Sequence, residues 1–254
     1  MSIERLYKYG RMNENSEQLF SCSTIWQASA ASLNDPFECT PSFVFTHEPD
    51  KIMAQLIRTL RKNDSMLTHN AAVAEATAIY LQGRHRNPAT WDALRDDLIH
   101  QYRNKVGLYC LTERNDSILM WSHYAAEHTG YCLEFEATDY TPVFGTAHCV
   151  SYANAYPEID FYNTTNEDGL TLSFLTKFTD WSYEREWRIV DHDAGPGRRD
   201  YPSELLKSVT FGLRMKNEHK VLIKQWLGTR STPVRLYQSV QGMDRFELTF
   251  TETN

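Results

Sequence analysis

The 254-residue chain contains no C-x-x-C pair, no His-Glu-x-x-His and no glycine-rich phosphate loop closing on Gly-Lys-Ser/Thr. Gly-x-Ser-x-Gly and the EF-hand loop are missing as well. No zinc ribbon, zinc protease, P-loop nucleotidase, hydrolase elbow or calcium hand can therefore be read from a motif. Cysteine is sparse and odd in number: Cys22, Cys39, Cys110, Cys132 and Cys149 stand far apart. That spacing speaks against a disulfide framework and for free thiols in a reducing cytoplasm. Eleven glycines and nine prolines exclude a collagen-like or linker-like composition. No apolar run approaches the ~20 residues of a membrane span. Met1-Ser2-Ile3-Glu4-Arg5 meets charge at once, so neither a signal peptide nor a membrane partner is expected.

What is present is a globular composition, 41% hydrophobic and 23% charged. The length suits one domain, 1–254, carrying an insertion. Formal net charge is −7, unevenly spread. Nine Lys/Arg face five Asp/Glu over 51–105, a local +4, which leaves −11 on the remainder. An acidic body repels polyphosphate. The basic stretch is the part that can meet an anionic partner, a nucleic acid or a protein acceptor.

Hydrophobic spacing predicts short strands over 3–9 and 19–27, then a loop on Asn34-Asp35-Pro36-Phe37-Glu38. Three amphipathic helices follow, broken at Asn63-Asp64-Ser65 and Asn87-Pro88. They are read as an insertion at about 48–105. Next come a strand over 106–111 and a helix over 117–128, with Asp116 as N-cap and Gly130 as stop. Strands are expected at 131–136, 148–152, 183–191, 209–212 and 234–237, with a last one through Phe246, Leu248 and Phe250. Residues 166–179 and 217–227 read as helical, and 193–200 as turn. With no βαβ rhythm, the fold class is α+β: a mainly antiparallel, split sheet with a three-helix insertion.

Three segments can carry chemistry. On a strand, Glu184, Glu186 and Arg188 share one face, while Tyr183, Arg185, Trp187 and Ile189 share the other. Two carboxylates about 7 Å apart repel by about 2.4 kcal/mol at an effective dielectric near 20. Arg188 adjoins Glu186, so Glu186 stays ionised and Glu184 is the easier to protonate. The face is either a solvated Glu–Arg pair or an acid/base site. The helix bearing Met120-Trp121-Ser122-His123-Tyr124 is apolar almost all round. It is either buried or offers His123 and Tyr124 to a ligand. In Asn34-Asp35-Pro36-Phe37-Glu38, Pro36 extends Asp35 and Asn34 can close an Asx-turn. Gly195-Pro196-Gly197 reads as a surface turn, or as a loop whose amides meet phosphate together with Arg198 and Arg199.

Four stretches occur in a recognisable order: Leu6-Tyr7-Lys8-Tyr9, Leu33-Asn34-Asp35-Pro36-Phe37-Glu38, Met120-Trp121-Ser122-His123-Tyr124 with Gly130, and Trp181-Ser182-Tyr183-Glu184-Arg185-Glu186-Trp187-Arg188. In this combination the chain resembles the bacterial domain-of-unknown-function family 2971, over about residues 5–192. A further likeness, of logic more than sequence, is to ADP-ribosyltransferases. It implies a split sheet, NAD as substrate and a late Glu that steadies an oxocarbenium-like transition state. It implies Glu186 on the ribose hydroxyl, Glu184 as acid/base partner, His123 beside them, Arg188 as clamp, and Lys8, Tyr9, Asn34, Asp35, Phe37 and Tyr124 around NAD. The expected function is ADP-ribosyl transfer to a macromolecule in bacterial defence or conflict. Two alternatives stay open. One is a Mg²⁺-dependent nuclease using Asp35, Glu38, Glu184 and Glu186; the other is a non-enzymatic module that senses a nucleotide or a partner. No resident metal is implied by the first reading.

Overall fold

The structure, a computed structural model, describes residues 3–44, 48–83, 88–160 and 166–253. The chain opens with β1 (Arg5–Gly10), α1 (Ser16–Cys22), β2 (Thr24–Ser29) and β3 (Ser42–Val44). The three expected helices follow as α2 (Pro49–Asn63), α3 (His69–Leu81) and α4 (Pro88–Lys105). Then come β4 (Gly107–Thr112), α5 (Ile118–Tyr124), β5 (Tyr131–Glu136), β6 (His148–Cys149), β7 (Ser151–Ala153) and β8 (Glu158–Asp160). The remainder is α6 (Asn166–Phe174), β9 (Thr176–Phe178), β10 (Glu186–Asp191), β11 (Gly197–Asp200), β12 (Leu206–Phe211), α7 (Asn217–Leu227), β13 (Arg235–Gln241) and β14 (Leu248–Thr253).

A mixed, mostly antiparallel sheet runs in the order β11-β2-β4-β1-β5-β12-β13-β14, and β10 joins β4 to β6. The fold class is α+β. β4 organises this sheet. One of its edges pairs with β10 along its whole length, from Glu186↔Thr112 to Asp191↔Gly107. Its other edge is divided. β1 meets it at Tyr7↔Thr112, and β2 meets it at Ala28↔Leu108 and Ser29↔Gly107. Between those points neither strand pairs with Tyr109, Cys110 or Leu111 on that edge. This parting is the split in the sheet.

Residue alternation sorts the side chains. Leu133 and Phe135 of β5 enter the main core with Leu6, Phe20, Leu111, Val209, Phe211 and Ile223, beneath α1 and α7. Cys132, on the opposite face, packs with Tyr9, Met120 and Trp121 under α5. Trp121 is fully buried, edge-on to Tyr9 at 5.2 Å between ring centroids, and its indole N–H donates to the Asn115 carbonyl at 2.8 Å.

Several expectations change. Residues 19–22 are the end of α1, not strand, because Phe20 packs helix-wise against Tyr131 and Trp226. Ser117, not Asp116, caps α5, accepting from the Met120 N–H, and the helix ends at Tyr124 rather than at 128. Ala126, Glu127 and His128 then turn left-handed, with φ of 46°, 54° and 67°. Gly130 is needed for close approach: a Cβ there would lie 2.1 Å from the Gly10 carbonyl oxygen. β12, α7 and β13 form one parallel βαβ unit, Ser208↔Arg235 to Phe211↔Gln238. Residues 197–200 are strand, paired with β2. There Arg199 bonds Asp191 and the Gly195 carbonyl, so that side chain is engaged within the turn. Residues 176–178 are the strand β9, not helix. The last strand begins at Leu248, beyond an exposed Phe246.

Candidate functional site

The late Glu-rich segment does not run as one strand from 183. Residues 179–184 form a tight 3-10 turn, Arg185 takes φ 44°, and β10 starts at Glu186. That left-handed residue swings Glu184 back beside Glu186 and Arg188. All three are buried, Arg188 completely. The solvated-face reading therefore does not hold.

Buried charges cost several kcal/mol each unless they are paired and fully bonded, and here they are. Arg188 grips Glu186 with two nitrogens, Nε to Oε1 at 2.8 Å and Nη2 to Oε2 at 2.9 Å. It also bonds Glu38 and, at 2.9 Å, the Phe174 carbonyl. Lys177 on β9 sits among three carboxylates: Glu184 at 2.5 Å, Glu186 at 3.0 Å and Glu38 at 3.2 Å. It also lies 4.9 Å from the centre of the Trp181 ring. Two cations thus face three carboxylates.

Burial and the two cations together decide the titration. Burial pushes the Glu186 carboxyl up, but the Arg188 and Lys177 charges outweigh it and hold it at about 2. Burial wins at Glu184 and raises it above the ordinary glutamate value in spite of Lys177. Lys177 is raised because its three carboxylates overcome its desolvation. Burial also raises Tyr124, so its hydroxyl keeps its proton and donates to Glu184 Oε1 at 2.6 Å. The ordering expected from sequence, Glu186 ionised and Glu184 easier to protonate, matches these directions.

Side chains from all four motifs meet. Tyr124 bonds Glu184, Glu38 bonds Arg188, and Trp181 Nε1 donates to Asp35 Oδ2 at 2.8 Å. A cavity of about 590 Å³ lies along the split edge of β4 and is lined by Lys8, Tyr9, Asn34, His123, Tyr124, Glu184 and Glu186. Lys8 and Tyr9 come from β1, and Lys8 lies 4.9 Å over the Tyr109 ring. His123 is exposed at the rim. Asp35 and Phe37 do not line this space. They line a second cavity of about 400 Å³, and Glu38 and Lys177 border both. Arg188 lines neither; it holds Glu186 and Glu38 from behind. The loop turn is closed by Asp35, whose Oδ1 accepts from the Phe37 N–H at 2.9 Å, and not by Asn34. Among the described residues no group of three or more His, Cys, Asp and Glu side chains is arranged to hold a metal ion.

Sequence reading overlooked Lys177, Thr112 and Tyr152. Thr112 Oγ1 donates to the Glu184 carbonyl at 2.5 Å, and the Glu186 N–H donates to the Tyr152 hydroxyl at 2.8 Å. A lone lysine in the run Phe174-Leu175-Thr176-Lys177-Phe178 was the available signal, because a cation in an apolar stretch needs a buried anion.

A split α+β sheet with a buried acidic cluster on one cavity wall is thus the class of site. A family model described as "Protein of unknown function (DUF2971)" matches residues 120–189. The resemblance seen in the motifs therefore holds over α5 to β10, a little over a quarter of the chain. The motifs at 6–9 and 33–38 lie outside that match. No curated protein and no solved structure matches the chain. Among the described residues no helix is long and apolar enough to cross a membrane.

Proposed function

We propose that the larger cavity binds NAD and that the protein transfers ADP-ribose to a macromolecular acceptor. The carrying observation is Glu184, a buried carboxylate gripped by Tyr124 and Lys177 on the wall of a ligand-sized cavity at the split. Tyr7, Tyr9 and Tyr109 give the same cavity an aromatic wall for nicotinamide, while Lys8 and Arg11 bring cations for the diphosphate. As the bond from ribose C1′ to the nicotinamide nitrogen breaks, its electron pair leaves with nicotinamide. The Glu184 carboxylate steadies the cation left on the ribose. The acceptor's nucleophile then bonds to C1′, and its proton passes to Glu184.

This assignment shifts roles within the pair. Cations hold both oxygens of Glu186, Arg188 on each and Lys177 on one, whereas one oxygen of Glu184 is met only by the neutral Tyr124 hydroxyl. Glu186 is a positioning residue that keeps Lys177 charged beneath Glu184. The acceptor approaches past the helical insertion, where Arg103 of α4 donates to the Pro36 carbonyl at 3.1 Å and so adjoins the site. The setting is a reducing cytoplasm, in keeping with five free thiols.

The test is nicotinamide release and label transfer from labelled NAD in cell extract. Glu184→Gln retains an acceptor for Tyr124 and should lower both by about 100- to 1000-fold. Wild-type release no higher than that of the variant overturns the reading. NAD that stabilises the fold saturably without turnover would instead mark a sensing module.

A further inference from the structure

We infer that the second cavity binds a quaternary or methylated ammonium group. The cavity, about 400 Å³, lies on the far side of the Glu38–Lys177 wall. Three aromatic residues line it while remaining partly in solvent: Phe37 is 68% exposed, Phe178 47% and Tyr156 44%. Phe37 is held out by the turn that Asp35 closes, and Phe178 ends β9. Aromatic faces carry partial negative charge and attract a cation within about 6 Å of the ring centre.

The acid that completes the site is Asp35, which lines the cavity and is only 8% exposed. Its two oxygens accept from neutral donors, the Phe37 N–H and the Trp181 indole. Among the described residues no Lys, Arg or His forms an ion pair with it. Among the described residues it thus faces the cavity with no cation bonded to it. Lys177 adds little opposing charge there, because Glu38, Glu184 and Glu186 surround its ammonium. Counting Asp35, and Arg103 on the Pro36 carbonyl, four carboxylates face three cations. The same rings could stack a nucleobase, but a phosphate chain would be carried toward these acids on a chain of net charge −7. A methylated ammonium is weakly hydrated and enters an apolar, aromatic cavity at little desolvation cost. The inference stands apart from NAD, so its failure leaves the transferase reading untouched, and the reverse holds too.

The experiment is calorimetric titration of the full chain with choline and with 3,3-dimethylbutan-1-ol, its neutral carbon isostere. Choline should saturate one site, and the isostere should bind at least about fivefold more weakly. Phe37→Ala and Phe178→Leu should each weaken choline about fivefold, with unchanged far-UV circular dichroism as the folding control. Asp35→Asn keeps an acceptor for the Phe37 N–H; it should weaken choline and leave the isostere unchanged. A trimethyl-lysine peptide and phosphatidylcholine vesicles serve as further arms, and the tightest-bound form of the ammonium identifies its source. Equal affinity for choline and isostere, no saturation by choline or tetramethylammonium, or indifference to the three substitutions would each overturn the inference.

Discussion

The two cavities share one wall, the Glu38–Lys177 pair, and are otherwise built on opposite terms. The larger one lies along an open strand edge and is floored by buried acids whose every oxygen is met by a protein donor. The smaller one is rimmed by aromatic rings left in water, with a single acid that neutral groups hold. Charge on the first side is tied into the fold, and apolar surface on the second side is not. The first side is therefore where substitutions should cost stability, and the second is where they should cost binding alone. Lys177→Met gives the sharpest separation. It leaves three buried carboxylates facing only Arg188, and should lower unfolding free energy by about 3–5 kcal/mol in urea titration. A loss under about 1 kcal/mol would mean that the cluster is solvated and the wall is not structural.

Acid should reveal the same asymmetry next. Glu186 titrates at about 2 in the fold against 4.5 for the ordinary group. Above about 4.5 its contribution is fully present, and it is lost as pH falls from there through about 2, to the extent of about 3 kcal/mol. Glu184 has the opposite sign. Its raised value means the native state holds a proton that the unfolded state releases, so its share of stability is present at acid pH and declines as pH rises above the ordinary glutamate value. Urea midpoints measured across pH 2–7 should therefore climb steeply and then flatten or dip. A curve without the acid limb would show that Arg188 does not hold Glu186 ionised.

Period-two reading of the late segment found the Glu186 and Arg188 face, because alternation along a strand is a local property. It did not find how Glu184 joins them. That depends on the left-handed Arg185, and nothing in a non-glycine residue announces such a φ. Lys177 was lost inside a stretch read as helix; only the demand of three buried acids for a cation explains it. The loop at 34–38 was legible as a shaped loop from Asn, Asp and Pro, yet which side of the wall Asp35 and Phe37 would face is decided by Trp181, 146 positions away. Helix α1 was hidden because Leu19 and Phe20 are apolar in either period. The β12-α7-β13 unit was hidden because one parallel crossover leaves no repeated rhythm.

A smaller effect probes the hydroxyl that distinguishes the two sides. Tyr124→Phe keeps the ring and removes the donor to Glu184 Oε1. The buried carboxylate loses one bond, which should cost about 1–2 kcal/mol of stability and, on the transferase reading, lower nicotinamide release about tenfold. Loss of activity with unchanged stability would place Tyr124 with the ligand rather than with the acid.

The smallest effect is expected at the aromatic rim. Phe37 is bonded through its backbone to Asp35, while its ring is largely in water, so Phe37→Ala removes little apolar contact from the fold. Thermal and urea unfolding should change by no more than about 0.5 kcal/mol. A change of about 2 kcal/mol or more would mean that the ring is packed as core, that the second cavity is part of the structural side, and that the contrast between the two cavities fails. A silent substitution leaves an exposed phenylalanine that folding does not require. Its position with Tyr156, Phe178 and Asp35 around one cavity then has to be explained by what the cavity holds.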